Sequence, residues 1–333
     1  MSALPAAFQP PALLRNRHLQ SVLASSRLRK FAARRAAQRL EAQARELILD
    51  GGNGVRLQGF LTTQEQAGSA RGLVVLLHGW EGRVDSNYVL HTGARLLDAG
   101  FDVFRLHFRD HGDTHGLNPG LFHSCLIDEV VGAIGDLAQR VPHRALLLAG
   151  YSLGGNFALR VALQAPQAGL PLLHAAAVCP VISPRAGMRA IESAPWFYQQ
   201  YFMLKWTRSL RRKQALYPDA FQFAREDFRG GVRGLTRTLV ERHTDFGTVE
   251  NYLDGYSIEG ERLAALSVPV SILTAADDPI IPVEDFHRLR LPAHAHLEIA
   301  GCGGHCGFIQ NYRLHGFAED WIATRLMQAV DPH

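Results

Sequence analysis

The chain has 333 residues, of which 47% are hydrophobic and 20% are charged, and its formal net charge is +4. This composition is typical of a soluble globular protein, and the length allows one large domain with an insertion or two ordinary domains. Its longest apolar runs have fewer than ten residues, whereas a membrane-spanning helix needs about 20, so no such helix is expected.

No secretory leader is expected from the N-terminal sequence. The stretch "MSALPAAFQPPALLRNRH" lacks both a basic start and an unbroken apolar run followed by a small-residue cleavage site. The chain has four cysteines, too few for the disulfide framework of a small secreted domain. We therefore expect a cytoplasmic protein with free thiols.

Basic residues are concentrated in two places. Residues 27–45 hold seven arginines or lysines and one glutamate on an alanine-rich background, which predicts a basic helix within an N-terminal segment, 1–45. A second cluster spans 205–213. Both fit either a solvated face or a surface that contacts anionic lipid or an acidic polymer. No nucleic-acid-binding motif is present, so we expect no nucleic-acid partner but keep peripheral membrane contact open.

Residues 46–183 predict the first part of an α/β core. "RELILD" and "VRLQGFLTT" predict two strands around a "GGNG" turn. Short apolar strands ("GLVVLLHG", "FDVFRLHF", "ALLLAG", "LLHAAAVCP") then alternate with helices near 87–98, 124–140 and after Ser152. Apolar strands separated by amphipathic helices are typical of a parallel sheet covered on both faces.

The alternation stops at residue 184 and resumes at 261. Residues 184–260 are rich in aromatic and basic residues and predict a helical cap inserted over one edge of the sheet. In 261–333, the strands "PVSILTAADDP" and "AHLEIA" and a closing helix complete the core. The cap's aromatic side chains either line an acyl pocket or pack the cap onto the core: Trp196, Phe197, Tyr198, Tyr201, Phe202 and Trp206.

A reactive serine is predicted at Ser152. "GYSLG" (150–154) fits the G-x-S-x-G elbow, in which a strained turn between a strand and a helix lifts the serine hydroxyl above the sheet. The helix that begins at Leu153 directs free backbone N–H groups and a positive dipole end toward this position.

A serine nucleophile needs a histidine base and a carboxylate that orients it. His305 follows the last predicted strand, and Asp277 and Asp278 follow the strand before it. The order serine, aspartate, histidine is that of the α/β-hydrolases. In their pattern the acid precedes a proline by about four residues, which favours Asp278 because Pro282 follows it. Asp277 remains the alternative.

A wider set of motifs matches one family in order along the chain. These are "NRHLQS", "LLHGWEG", "YVLHTGARLLDAGFDVFRLHFRDHG", "FHSC", "GYSLGGN", "ADDPIIP" and "GGHCGF". From about residue 14 the chain resembles the YheT-like branch of the α/β-hydrolase superfamily, which is related to the ABHD hydrolases. The cap matches this family least, so the resemblance leaves substrate choice open.

The resemblance implies an α/β-hydrolase fold and serine-dependent hydrolysis of carboxylic esters, including lipid-type esters, with acyl transfer to alcohols in some members. "HGWEG" resembles the oxyanion turn of lipases and esterases, which implies that the backbone N–H groups of Trp80 and Leu153 bind the oxyanion. No cofactor or metal is expected. A non-catalytic scaffold is the remaining alternative, although all three residues that such scaffolds usually lose are present.

Two groups of residues raise the alternative of a metal site. Cys302, His305 and Cys306 are close enough in sequence to bind zinc but lack a fourth ligand at a known spacing. The histidines of "RLHFRDHGDTHG" (105–116) lie in a loop after a strand, where the resemblance implies a structural role beside the active site. Ion pairs of Arg105 and Arg109 with nearby aspartates are expected in the same loop.

Overall fold

The computed structural model of the protein describes residues 8–66 and 68–331. It contains one sheet, whose strands are β1 (Arg45–Gly52), β2 (Val55–Thr62), β3 (Leu73–Leu77), β4 (Asp102–Leu106), β5 (Leu146–Tyr151), β6 (Leu172–Val178), β7 (Val270–Ala275) and β8 (His296–Ala300). Their order across the sheet is β1-β2-β4-β3-β5-β6-β7-β8. The pairs β1–β2 and β2–β4 are antiparallel and all others are parallel. The predicted mostly parallel α/β-hydrolase sheet is confirmed.

Twelve α-helices lie in the described residues. They are α1 (Arg17–Ala24), α2 (Arg27–Ala36), α3 (Gln38–Ala42), α4 (Asn87–Asp98), α5 (Ile127–Arg140), α6 (Leu153–Gln164), α7 (Pro184–Ser193), α8 (Trp196–Leu216), α9 (Gly231–His243), α10 (Val249–Gly255), α11 (Val283–His287) and α12 (Phe317–Val330). None of these helices combines the length and apolar character needed to cross a bilayer.

Both faces of the sheet are buried, which explains why the central strands are apolar at every position. Along β3, Leu73, Val75 and Leu77 pack into one core cluster with residues of α5 and α6. Val74 and Leu76 pack into a second cluster on the opposite face with residues of α4 and α12. The sheet is thus held between two helical layers, and its carboxyl edge remains available for a site.

The segment predicted as a cap, 184–260, contains helices α7 to α10 and no strand among its residues. It leaves the sheet after β6 and returns at β7. Helix α8 crosses from the exposed Trp196 to the fully buried Lys213, whose ammonium binds Asp110 of the core at 2.7 Å. The cap is therefore attached to the core by a buried ion pair as well as by apolar packing.

The N-terminal segment contains a basic helix, α2, but the basic stretch 27–45 does not form one continuous helix. The chain forms α2 and the short α3, with a break at Ala37, and is already in strand β1 at Arg45. Ala33, Ala37 and Leu40 are completely buried, and Leu40 packs directly over Gly93 of α4. Tertiary packing bends the chain here so that both pieces contact α4, although local propensity favours an uninterrupted helix.

Candidate active site

Ser152 lies in a strained turn between β5 and α6. Its backbone has φ 54° and ψ −118°, a conformation that costs on the order of 1–3 kcal/mol for a residue with a side chain. The flanking glycines make the turn possible. A Cβ at Gly150 would lie 2.2 Å from the Gly154 carbonyl oxygen, and one at Gly154 would lie 2.4 Å from the Leu77 carbonyl oxygen. The predicted elbow geometry is therefore present at the carboxyl edge of the sheet.

Ser152, His305 and Asp278 form one chain of hydrogen bonds. His305 Nε2 lies 3.0 Å from Ser152 Oγ, and His305 Nδ1 lies 2.8 Å from Asp278 Oδ2. Burial alone would lower the pKa of His305, but the Asp278 carboxylate and the Cys306 sulfur together outweigh this and raise it well above its ordinary value. The arrangement allows the ring to accept a proton from the serine and to be stabilised when charged.

The two adjacent aspartates have different surroundings. Asp278 Oδ1 accepts hydrogen bonds from the N–H groups of Ile280 (2.8 Å) and Ile281 (3.0 Å), which fixes the carboxylate so that Oδ2 faces His305. Asp277 Oδ1 instead accepts the N–H of Gly304 at 2.9 Å. Asp278 thus contacts the imidazole, whereas Asp277 holds the loop that carries it.

Helix α1 supports the same loop, a role that the sequence alone did not indicate. The N–H of His305 donates to Ser21 Oγ at 2.9 Å, and the Ser21 hydroxyl donates to the Arg17 carbonyl at 2.8 Å. The side chain of Gln20 bonds both backbone groups of Ile309, at 3.1 Å and 2.6 Å. The "NRHLQS" motif therefore positions the histidine loop from a distance of more than 280 residues in sequence.

The loop after β3 offers an unused hydrogen-bond donor next to Ser152. Of the N–H groups from Gly79 to Val84, five have acceptors: Tyr88 Oη for Gly79, His111 Nε2 for Glu81, the Gly79 carbonyl for Gly82, Ser86 Oγ for Arg83 and His107 Nε2 for Val84. Neither the Trp80 N–H nor the Leu153 N–H has an acceptor in the described chain. These are the two donors that the family resemblance implies.

His107 and His111 hold this loop as neutral side chains. Burial lowers the pKa of His107 to about 3 and that of His111 to about 4, so each Nε2 can accept a backbone N–H at neutral pH. Their Nδ1 atoms lie 2.9 Å from Gln58 Oε1 and 2.7 Å from the Arg109 carbonyl, which fixes the tautomer. The structural role expected for the histidine-rich loop is the bracing of the turn that contains Trp80.

A cavity that is partly open to solvent lies between the core and the cap and reaches Ser152. Its wall is mainly apolar and contains no aspartate, glutamate, lysine or arginine. Two of the cap's predicted aromatics, Phe202 and Trp206, line it and pack against Trp80, with ring centroids 5.1 Å and 5.0 Å apart. Trp196 is instead exposed and serves neither of the two roles that the sequence left open.

The structure does not bring together the three residues that the sequence offered as zinc ligands. Cys302 lies outside the group; Cys179 joins His305 and Cys306, with ligand atoms within 4.8 Å of one another. All four cysteines are free thiols. The His305 Nε2 that a metal would need is 3.0 Å from the Ser152 hydroxyl, so this nitrogen is already in use as a hydrogen-bond acceptor.

The prediction that Arg105 and Arg109 pair with nearby aspartates was wrong. Arg109 pairs with Glu129 at 2.5 Å, and the Arg105 guanidinium donates to the Val84 carbonyl at 3.2 Å. The nearby Asp110 and Asp113 bind cap residues instead, at 2.7 Å to Lys213 and 2.5 Å to Arg212. The loop's carboxylates therefore attach the cap, and Arg109 joins the loop to α5.

Comparison with known proteins agrees with this geometry. The fold and the elbow are those of an α/β-hydrolase. The family described as "Serine aminopeptidase, S33" matches residues 68–298, more than two thirds of the chain, and the protein belongs to this family. YheT of Escherichia coli strain K12, described as a candidate esterase, is 25% identical over 257 residues, which cover 76% of this chain and 74% of YheT. The YheT-like resemblance is confirmed.

Solved structures support the fold. The esterase Pf2001 of Pyrococcus furiosus matches with a TM-score of 0.54 and 16% identity, over 86% of this chain and 89% of that chain. The proline iminopeptidase of Mycobacterium smegmatis matches with a TM-score of 0.53 and 17% identity, over 86% and 99%. At these identities the two likenesses describe the architecture and not the substrate.

Proposed function

We propose that the protein is a serine hydrolase that cleaves carboxylic esters through an acyl-enzyme on Ser152. One observation carries the proposal: the hydrogen-bonded chain of Ser152, His305 and Asp278 lies at an apolar cavity beside two unused N–H donors. Nucleophile, base, orienting acid and oxyanion donors are the groups that ester hydrolysis by a serine requires.

In the proposed reaction, Ser152 Oγ attacks the ester carbonyl carbon while His305 Nε2 takes the hydroxyl proton. The N–H groups of Trp80 and Leu153 donate to the tetrahedral oxyanion. The intermediate then collapses, the C–O bond to the alcohol breaks, and His305 returns the proton to the leaving oxygen. Water repeats the sequence on the acyl-enzyme and releases the carboxylic acid. Asp278 keeps the proton of neutral His305 on Nδ1 and stabilises the imidazolium.

The cavity favours a hydrocarbon acyl or alkyl group over a peptide. An aminopeptidase must bind the positively charged α-amino group of its substrate, which requires a carboxylate or another acceptor for the desolvated charge. The wall of this cavity carries no carboxylate, and burial lowers the pKa of its residue His123 to about 4, so that this imidazole is neutral. Short- to medium-chain acyl esters and lipid-type esters fit such a surface.

Acyl transfer to an alcohol is the second candidate function, because the same residues serve it. An apolar wall binds the hydrocarbon part of an alcohol, so the alcohol competes with water for the acyl group better than it would in a fully hydrated site. Product analysis with a competing alcohol distinguishes the two reactions: ester exchange at the expense of free acid identifies the transferase.

An ester panel of graded acyl length, combined with a fluorophosphonate probe, tests the proposed function. We expect covalent labelling of the wild-type protein and turnover of p-nitrophenyl esters that rises from acetate to medium chains, because longer acyl groups bury more apolar surface in the cavity. Peptide mapping locates the label. If neither labelling nor turnover is observed on any ester, the proposal is contradicted and a non-catalytic scaffold is favoured.

Gly187→Leu is expected to shorten the preferred acyl chain. Gly187 lies on α7 in the cavity wall, and a Cβ there has no neighbour closer than 3.7 Å, so a leucine side chain can enter the cavity without displacing backbone. We expect kcat/KM for medium-chain esters to fall roughly tenfold or more through overpacking, while acetate changes little.

Gly234→Leu is the matched control for this change. Gly234 is also a glycine in a cap helix, α9, its added Cβ would have no atom within 4 Å, and it does not line the cavity. It should leave the chain-length profile unchanged. An equal loss on every ester in G187L would show that the cavity near α7 does not hold the acyl chain.

A further inference from the structure

Helix α2 presents an unusual outer face. At 100° per residue, Arg27, Leu28, Phe31, Arg34 and Arg35 fall within about 120° of one another, on the side opposite the buried Arg29 and Ala33. Leu28 is 74% exposed and Phe31 is 75% exposed. This set of five residues, the α2 outer face, combines large apolar side chains with arginines and contains no acid.

The charge of this face is not neutralised by its surroundings. The first 40 residues of the sequence contain eight arginines or lysines and no aspartate or glutamate. Within the described part of the chain, ion pairs engage Arg29 with Glu319, Lys30 with Asp85 and Arg39 with Glu65. No ion pair in the same described residues involves Arg27, Arg34 or Arg35. The second basic cluster is partly neutralised: Lys213 and Arg212 are paired with core aspartates, whereas Lys205, Arg208 and Arg211 have no acidic partner in the described residues.

Exposed apolar residues continue beside this face. Leu19 and Val22 of α1 point away from the core, and Val22 is 51% exposed. His18 of α1 contacts the start of α8 through Tyr198, at 3.2 Å from Nδ1 to the hydroxyl, and there Trp196 is 75% exposed. Exposed apolar side chains are therefore present on α1 and α2 and at the start of α8, which α1 contacts.

We propose that the α2 outer face docks on the surface of an anionic lipid bilayer. Arginines attract phosphate headgroups, and Leu28 and Phe31 gain free energy when they insert among acyl chains, which is the pattern of an interfacial helix. A nucleic acid offers the same charge but no apolar phase for these two side chains. A single convex helix strip is also small for a stable protein interface, which buries about 800 Å² on each partner.

The location gives this docking a consequence for the site. Ser21 of α1, adjacent to α2, holds the backbone of His305, so the docked surface lies on the segment that supports the histidine loop. Whether a membrane-borne ester is the substrate depends on the proposed function. The docking itself does not, and its test is independent of catalysis.

The test is flotation of the full chain with vesicles of phosphatidylcholine alone or with equal parts of phosphatidylglycerol. We expect binding to the anionic vesicles that weakens as salt is added, and little binding to phosphatidylcholine alone. Replacing Arg27, Arg34 and Arg35 with glutamine should weaken binding on the order of a hundredfold, about fivefold for each arginine. L28S/F31S should weaken it roughly tenfold or more while leaving the charge unchanged.

Matched controls are available on the cap. Arg225, Arg229 and Arg237 are exposed, and replacing all three with glutamine removes three positive charges from another surface. The variant L216S removes an exposed leucine from the cap without changing the charge. Both controls should bind vesicles like the wild type. The proposal is overturned if they lose as much binding as the α2 variants, if the wild type does not prefer anionic vesicles, or if L28S/F31S binds these vesicles as well as the wild type while R27Q/R34Q/R35Q loses binding to heparin, which would identify a site for an acidic polymer. Unchanged activity on a soluble ester in every variant separates this outcome from a failure of the site.

Discussion

Replacing Ser152 with alanine is expected to lower ester turnover by a factor on the order of 10⁴ to 10⁶ and to abolish fluorophosphonate labelling. The change removes the attacking oxygen and its hydrogen bond to His305 Nε2, at 3.0 Å, and leaves the oxyanion donors and the cavity in place. Steady-state kinetics on p-nitrophenyl esters and mass spectrometry of the labelled protein measure the two effects.

The fold should tolerate this substitution. Alanine and serine differ by one oxygen, and both carry a Cβ at the same strained backbone angle, so thermal unfolding should change little. Ser124→Ala is the matched control, because Ser124 also lines the cavity but its hydroxyl bonds Tyr252 and not a histidine. S124A should retain labelling and most activity. Comparable turnover in S152A and the wild type would contradict the acyl-enzyme mechanism.

The sheet and the elbow could be predicted from the sequence because their signals are local. Each central strand is buried on both faces and is therefore a short apolar run, as in "LVVLL" (73–77) and "LLLAGY" (146–151). The elbow needs glycines at 150 and 154, where a Cβ would collide with backbone atoms. The order of Ser152, Asp278 and His305 along the chain then indicated the site, since all three follow strands whose carboxyl ends meet at one edge.

The support of the site could not be predicted, because it depends on contacts between distant segments. Nothing near Ser21 in the sequence indicates that its hydroxyl accepts the N–H of His305. Likewise, the free donor in the loop after β3 is found only by counting hydrogen bonds: Trp80 is the one residue from Gly79 to Val84 whose N–H has no acceptor in the described chain. Such an accounting requires coordinates.

The structure of the two basic segments also could not be predicted from local sequence. A uniform helix-forming composition over 27–45 hides the break at Ala37, which packing against α4 imposes. Charge alone also did not separate the two clusters. In the structure, Lys213 is buried against Asp110, whereas Arg34 and Arg35 of α2 are exposed. Sequence periodicity predicts which residues share a helix face, but the tertiary structure decides which face is covered.

Asp278→Asn is expected to lower kcat/KM by a factor on the order of 10³ to 10⁴. Asp278 Oδ1 accepts two backbone N–H groups, from Ile280 and Ile281, so the asparagine oxygen will stay at that position and its amide nitrogen will face His305 Nδ1. An N–H donor there requires Nδ1 to be an acceptor. The imidazole proton then moves to Nε2, and the ring can no longer take the proton of Ser152.

The pH profile and the neighbouring aspartate make this prediction specific. His305 acts as a base when neutral, and Asp278 raises its pKa above the ordinary value, so wild-type kcat/KM should rise with pH along a limb above about 6.5. In D278N the limb of the residual activity should shift to lower pH. Asp277→Asn keeps an oxygen for the Gly304 N–H and should cost less than about tenfold, with the limb unmoved. A larger loss in D277N than in D278N would assign the acid to Asp277, because only the residue that contacts the imidazole controls both its tautomer and its pKa.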